Sequence, residues 1–182
     1  MKIHKTFSYT RQRWLESPLL SRQYHPLLIE NGSLTASLQQ KFPDFHVKPV
    51  RVTYQKPTFE EAALLHMTAR DNAQIREVLL YGNGKPAVFA HSVLPRKSLQ
   101  GEWRSLGRLG NKPLGAILFA NLKVKRTPLS YKKLSANHAL YQAAVRYLQR
   151  KPDYLWARRS IFSLNCASIM VVEVFLPSLI EA

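Results

Sequence analysis

Short alternating runs of apolar and polar positions, separated by turn residues, dominate the chain. The clearest pair is residues 75–81 and 87–94, two strand-like runs around Gly82-Asn83-Gly84-Lys85. Asn and Gly tolerate the positive φ that a tight hairpin turn demands, so this segment predicts a β-hairpin. Residues 47–54 are rich in β-branched side chains, with Pro49 marking an edge or a bulge. Residues 1–45 read as helical and broken, punctuated by Pro18, Pro26 and Pro43. Within them Ser33 is placed to cap a short helix ending at Phe42, because its hydroxyl can accept first-turn amides. Residues 98–119 read as short helices with turns, and residues 120–126 alternate as another strand. Residues 135–150 suit a helix with Leu140, Ala144, Tyr147 and Leu148 on one side. Two last strands, residues 155–164 and 168–176, flank Asn165-Cys166-Ala167. Consecutive strands joined by short turns give an antiparallel sheet, so the expected class is α+β.

The 182 residues suit one domain, 1–182, with a helical part over 1–45 and a sheet with inserted helices over 46–182. Apolar residues make up 46% and charged residues 21%, which excludes a wholly disordered chain. The apolar runs fall far short of the ~20 residues of a membrane span. No apolar stretch follows the basic start Met1-Lys2-Ile3-His4-Lys5, so no signal peptide is expected and the expected address is cytoplasmic. The single Cys166 excludes an internal disulfide and any multi-thiolate metal site.

Charge changes the picture. Lys and Arg number 27 against 11 Asp and Glu, a net +16. From Val78 onward the acids are Glu102, Asp153, Glu173 and Glu181 alone. Such a surface attracts anions: nucleic acid, acidic lipid or a small polyanionic substrate. Composition does not choose among these, or between them and a merely solubilising surface.

The sequence holds no nucleophile elbow, phosphate-cradling loop or dinucleotide fingerprint, and its histidines show no metal-ligand spacing. Glu173 stands out because it shares a strand face with Ile169, Val171 and Phe175, while the opposite face is also apolar. A carboxylate there either pairs with a cation or becomes a proton carrier. Arg76 alternates with Val78 and Leu80, and its planar guanidinium wants a carboxylate: Glu173 or a ligand. In Asn111-Lys112-Pro113-Leu114-Gly115 the proline suits a helix start, leaving amides from Leu114 onward free for an anion. Together these describe a pocket for a small cyclic carboxylic acid with a polar group at its far end.

The ordered set of motifs resembles the bacterial chorismate lyase family. It runs through Ile75-Arg76-Glu77-Val78-Leu79-Leu80, Gly82-Asn83-Gly84-Lys85-Pro86 and Leu109-Gly110-Asn111-Lys112-Pro113-Leu114-Gly115 with Leu118-Phe119. It continues through Leu155-Trp156-Ala157-Arg158-Arg159-Ser160 and Glu173-Val174-Phe175-Leu176-Pro177. The resemblance implies one α+β domain with a mainly antiparallel six-stranded sheet and helices covering a buried ligand. It implies conversion of chorismate to 4-hydroxybenzoate and pyruvate, toward ubiquinone, with no metal or organic cofactor. It carries the ring carboxylate to Arg76 and the Leu114 main-chain N–H, the product hydroxyl to Glu173, and a flap residue to Leu34, where the family pattern has Met.

Chorismate is a dianion, and Arg158 or another basic residue is expected to meet its enolpyruvyl carboxylate. Glu173 serves either as a base toward C4 or as an acid toward the departing oxygen. The segment 127–154 is longer than the family pattern, would sit between two strands, and could extend a lid or make a contact. A monomer is expected, with no nucleic-acid partner and with peripheral contact to anionic membrane as an added role for the charge. The competing reading is a non-catalytic small-carboxylate-binding domain of the same fold, as in effector domains of bacterial transcription regulators.

Overall fold

The computed structural model describes residues 13–180. Seven strands form one antiparallel sheet: β1 (His46–Gln55), β2 (Ala73–Gly82), β3 (Lys85–Pro95), β4 (Lys125–Arg126), β5 (Ser130–Ser135), β6 (Tyr154–Leu164) and β7 (Ala167–Phe175). Their spatial order is β1-β2-β3-β7-β6-β4, with β5 also on β6. β4 and β5 share one edge of β6: Arg126 pairs with Phe162, and Ser130 with Arg159. Pro128, which has no N–H to give the ladder, lies between them. The sheet is thus six ribbons wide, as expected, and its last ribbon is broken into two strands.

The helices are α1 (His25–Ile29), α2 (Leu34–Lys41), α3 (Phe59–Leu64), α4 (Arg96–Gln100), α5 (Leu114–Ala120) and α6 (Ala139–Ala144). Local chemistry explains the ends. Ser33 Oγ accepts from the Ala36 amide at 3.3 Å and starts α2, with Phe42 as its C-cap. Thr58 and Glu61 exchange side-chain and backbone bonds in a capping box that starts α3. At the β2–β3 turn Asn83 and Gly84 have φ of 52° and 68°. The Asp44 carboxylate accepts both of their N–H groups at 2.7 Å. Those bonds hold its pKa below the ordinary carboxylate value. The β1–β2 register shifts between Pro49 and Arg51, and β1 is an edge strand, so both readings of Pro49 hold.

Four departures from the sequence reading concern the second half. Residues 114–120 are helical and only Lys125–Arg126 is extended, so the alternation over 120–126 gives a two-residue strand. Ser130–Ser135 forms β5, which the sequence reading missed. The helix expected over 135–150 is α6 followed by a 3-10 turn, Val145–Tyr147. Its buried face is Tyr141, Ala144 and Val145, so the expected stripe is rotated. Nor does segment 127–154 form a lid over the pocket face. It supplies the sheet edge and α6, which packs with Leu134 and Leu155 on the other face.

The sheet separates two apolar layers. On one face Val78, Leu80, Val88, Ala90 and Phe175 pack under Leu28 of α1 and Leu34 and Leu38 of α2. Beside them Phe162 and Ile169 pack with Trp103, Leu106, Leu114 and Leu118. On the other face Ile75, Leu79, Phe89, Met170 and Val174 pack with Tyr141 and Ala144 of α6. The first face therefore carries two covers, α1–α2 and the segment from Trp103 through α5. Among the described residues no helix is long and apolar enough to cross a membrane.

Candidate active site

A pocket lies between the first sheet face and its two covers. Arg76, Leu34, Leu114 and Glu173 all line it, so the structure brings the four sequence-predicted residues together.

Arg76 is central on β2, opposite Ser92 of β3, and its residue exposure is 3%. Its Nη2 donates to the carbonyls of Gly110 and Lys112, both at 3.1 Å. Trp103, whose indole N–H donates to the Ala167 carbonyl at 3.0 Å, pins the segment leading to those carbonyls. No carboxylate of the described residues forms an ion pair with Arg76, and burial lowers its pKa from the ordinary value. A buried guanidinium held only by neutral oxygens still wants an anion. Of the two partners considered from sequence, Glu173 is engaged elsewhere, so the ligand carboxylate remains.

Glu173 on β7 stands beside Arg158 of β6 in register. Its Oε2 accepts from Arg158 Nε at 2.5 Å, forming an ion pair with Glu173 partly open to the pocket. Arg158 is fully buried. Its Nη1 donates to the carbonyls of Leu27, Leu28 and Glu30, at 3.0, 3.4 and 2.6 Å. Arg158 therefore ties the α1 cover to Glu173 and is not among the residues lining the pocket. Of the two outcomes weighed for Glu173, pairing with a cation is the one the structure shows.

Leu114 is the first residue of α5, and Pro113 stands one place before it as the N-cap. The Leu114 N–H thus precedes any carbonyl that the helix could offer it. Leu34 begins α2 and is buried against the pocket. The two covers meet at Gly115, where a Cβ would sit 2.9 Å from Thr35 Oγ1 and 3.4 Å from Ser33 Oγ. Only glycine allows this approach without displacement.

The sequence reading missed Arg126, Ser160, Thr35 and Phe162, which also line the pocket. Arg126 Nε donates to Ser160 Oγ at 3.0 Å and its Nη1 to the Asn31 carbonyl at 2.8 Å. The only signal for it was its place in an alternating run, and ten basic residues over 96–133 hid it. Among the described residues no group of three or more His, Cys, Asp or Glu is arranged to hold a metal ion. Cys166 is exposed at the β6–β7 turn, away from these groups.

The site can therefore bind an anion at Arg76 and the Leu114 amide, enclose an apolar ring, and present a carboxylate to the ring's far side. A family model described as chorismate lyase matches residues 9–181. The chain is 44% identical over 171 residues to a probable chorismate pyruvate-lyase of Methylobacillus flagellatus, covering 94% of this chain and 96% of that one. It is 50% identical over 155 residues to a probable chorismate pyruvate-lyase of Nitrosospira multiformis, covering 85% of this chain and 86% of that one. Among solved structures it is similar to a GntR-family transcriptional regulator from Bacillus cereus, with a TM-score of 0.57 and 14% identity. That match covers 74% of this chain and 93% of the other. The effector domain of PhnF from Mycobacterium smegmatis gives the same TM-score at 11% identity, covering 81% and 90%. At these identities the structural likeness shows the fold alone.

Proposed function

The chain belongs to the chorismate lyase family, and from that premise we propose that its pocket converts chorismate to 4-hydroxybenzoate and pyruvate. Arg76 and the Leu114 N–H hold the ring carboxylate. Arg76 on β2 and Glu173 on β7 have β3 between them. Their backbones are two strand spacings, roughly 10 Å, apart. Side chains reaching inward from both leave room for one ring, its carboxylate at Arg76 and its C4 hydroxyl at Glu173. Leu34 closes over the ring from α2.

The reaction breaks the C4–H and C3–O bonds. The C4 proton leaves to a base, its electron pair completes the aromatic ring, and the C3–O pair departs with enolpyruvate. Enolpyruvate gains a proton at its methylene carbon and becomes pyruvate, so the balance closes with no co-reactant. Aromatisation supplies the driving force, and the site mainly fixes geometry. Glu173, ion-paired with Arg158, takes the base side of this exchange. The observation that carries the reading is the buried Arg76 with neutral partners in the same pocket as the ion-paired Glu173.

We place this activity in the cytoplasm as a single-chain enzyme, on the pathway to ubiquinone. The +16 surface draws in the dianionic substrate and makes peripheral contact with anionic membrane. Absence of sedimentation with acidic vesicles at low salt would remove the membrane part. The second reading is a binding-only domain of the same fold. One assay separates the two. Chelator-treated protein given chorismate should release equal amounts of 4-hydroxybenzoate and pyruvate, faster than chorismate alone. Glu173→Gln should lower turnover roughly 100- to 10,000-fold, the range for a lost general base. No product from the unaltered chain would favour the binding-only domain, and full turnover by Glu173→Gln would reduce Glu173 to a binding group.

A further inference from the structure

We propose that Arg126 is the second anion-binding residue of the pocket, recognising the carboxylate of the substituent on ring carbon 3, and that it selects the dianionic substrate over the monoanionic product. This rests on the reading of the pocket as a chorismate site.

The argument starts from a charge count. Four charged side chains meet at the pocket: Arg76, Arg126, Glu173 and, behind it, Arg158. Glu173 and Arg158 cancel. Arg76 and Arg126 remain, a local +2. A dianion neutralises it and a monohydroxybenzoate does not.

Arg126 is also built as a receptor. Its guanidinium carbon lies 5.3 Å from the Phe119 ring centroid and 5.2 Å from that of Phe162. Two rings and two hydrogen bonds, from Nε to Ser160 and from Nη1 to Asn31, fix its position. Both acceptors are neutral oxygens, and no carboxylate of the described residues forms an ion pair with it. A guanidinium carries five N–H donors, and among the described residues only Nε and Nη1 of Arg126 find acceptors. Burial lowers the pKa of Arg126, while the charge of Glu173 opposes that shift from a distance. An anion is what such a half-buried cation lacks.

Its location fits the substrate. β4 lies four strand positions from β2, with β3, β7 and β6 between. That separates the two arginine backbones by roughly 19 Å. Two long side chains reaching inward leave a gap suited to the carboxylates at ring carbon 1 and on the carbon-3 ether. Arg158 is set apart from this part by its place: it is fully buried and absent from the pocket lining, with Nε on Glu173, Nη1 on three carbonyls and Nη2 enclosed without a partner among the described residues.

The test uses equilibrium binding and kinetics together. The probes are 4-hydroxybenzoate, which lacks the second carboxylate, and 3-(carboxymethoxy)-4-hydroxybenzoate, which carries it. In the unaltered chain the dicarboxylate should bind more tightly. Arg126→Gln should weaken it roughly 10- to 100-fold, the worth of a charge-assisted bond, and leave 4-hydroxybenzoate within about threefold. The kcat/KM for chorismate should fall by a similar factor. Arg126→Lys should restore part of the loss, since an ammonium keeps the charge without the two-pronged geometry. Stabilisation of Arg126→Gln by 4-hydroxybenzoate in a thermal melt shows that the pocket remains formed. Equal losses for both probes, or no loss for the dicarboxylate, would overturn the proposal. If the unaltered chain binds both probes but makes no product from chorismate, the catalytic reading fails and the Arg126 assignment is still judged by the binding ratio.

Discussion

The two faces of the sheet both bury charge, but they settle it differently. On the far face His91 of β3 donates through Nδ1 to Glu77 Oε1 at 3.1 Å and through Nε2 to Glu61 Oε1 at 2.9 Å. Burial opposes the charged ring, yet the bonds and charges of the two glutamates outweigh it and raise the His91 pKa to about 9. Nearby Arg159 pairs with Glu60 at 2.6 Å and lies over the Trp14 ring at 4.2 Å. Every cation named there has a carboxylate from the chain itself. On the pocket face Arg76 and Arg126 have carbonyl and hydroxyl oxygens only. A buried cation that its own chain pairs, as His91 and Arg158 are paired, is scaffold. A buried charge left on neutral acceptors is held for a ligand. That difference, more than apolar character, tells the site from the core.

The sharpest break of the comparison is at Arg76. Arg76→Ala should weaken 4-hydroxybenzoate binding by roughly 2–5 kcal/mol, because a desolvated carboxylate then loses its charged partner. Calorimetric titration reads this directly. Stability should fall by less than binding, since relief of the buried charge offsets the loss of two charge-assisted bonds to the Gly110 and Lys112 carbonyls. A variant that binds product as before, or one that melts far earlier with no binding loss, would place Arg76 with the scaffold.

At His91 the expected effect is on stability instead. The folded pKa of about 9 lies above the ordinary 6.5. The stabilisation is therefore full below pH 6.5 and is lost as pH rises through about 9. The two-and-a-half-unit gap corresponds to on the order of 3 kcal/mol. His91→Leu should melt earlier at pH 6 and converge toward the parent near pH 10, with 4-hydroxybenzoate affinity little changed where both are folded. A parent whose stability is flat from pH 6.5 to 9.5 would mean that the imidazolium is not formed.

This division was partly legible in the sequence. Arg76 and Glu173 declared themselves because each is the lone charge on its face of an apolar strand. Leu114 was found through Pro113, although the proline proved to be the N-cap and not the first helical residue. The turn at Asn83-Gly84 was legible because few residues tolerate its positive φ. Partnership was not legible. Whether Arg158 faces a ligand or Glu173 depends on the β6–β7 register, which pairs them directly. Arg126 depends on β4 lying against β6, a contact made by two residues. β5 was hidden because Lys132 and Lys133 interrupt its alternation, and Lys132 is nonetheless buried. The stretch before α6 read as helix by propensity, but Ser135 is taken by the sheet and His138 caps the helix instead. Tertiary pairing overrode local preference in each case.

The smallest expected effect is at the seam between the two covers of the pocket face. The covers meet at Gly115, and an alanine Cβ there would stand 2.9 Å from Thr35 Oγ1. Thr35 is buried and β-branched, so it cannot swing aside freely. The covers must instead separate by a few tenths of an ångström. Alanine also favours the helix by up to about 1 kcal/mol over glycine, which offsets part of the strain and keeps the fold. Gly115→Ala should therefore weaken 4-hydroxybenzoate binding only about three- to tenfold, with nearly all of the change in the off-rate. Stopped-flow displacement of bound product measures that rate. If product release limits turnover, kcat should rise in the same variant while kcat/KM falls or stays level. An unchanged off-rate would show that the covers do not part at Gly115, and that the ligand leaves by another side of the pocket.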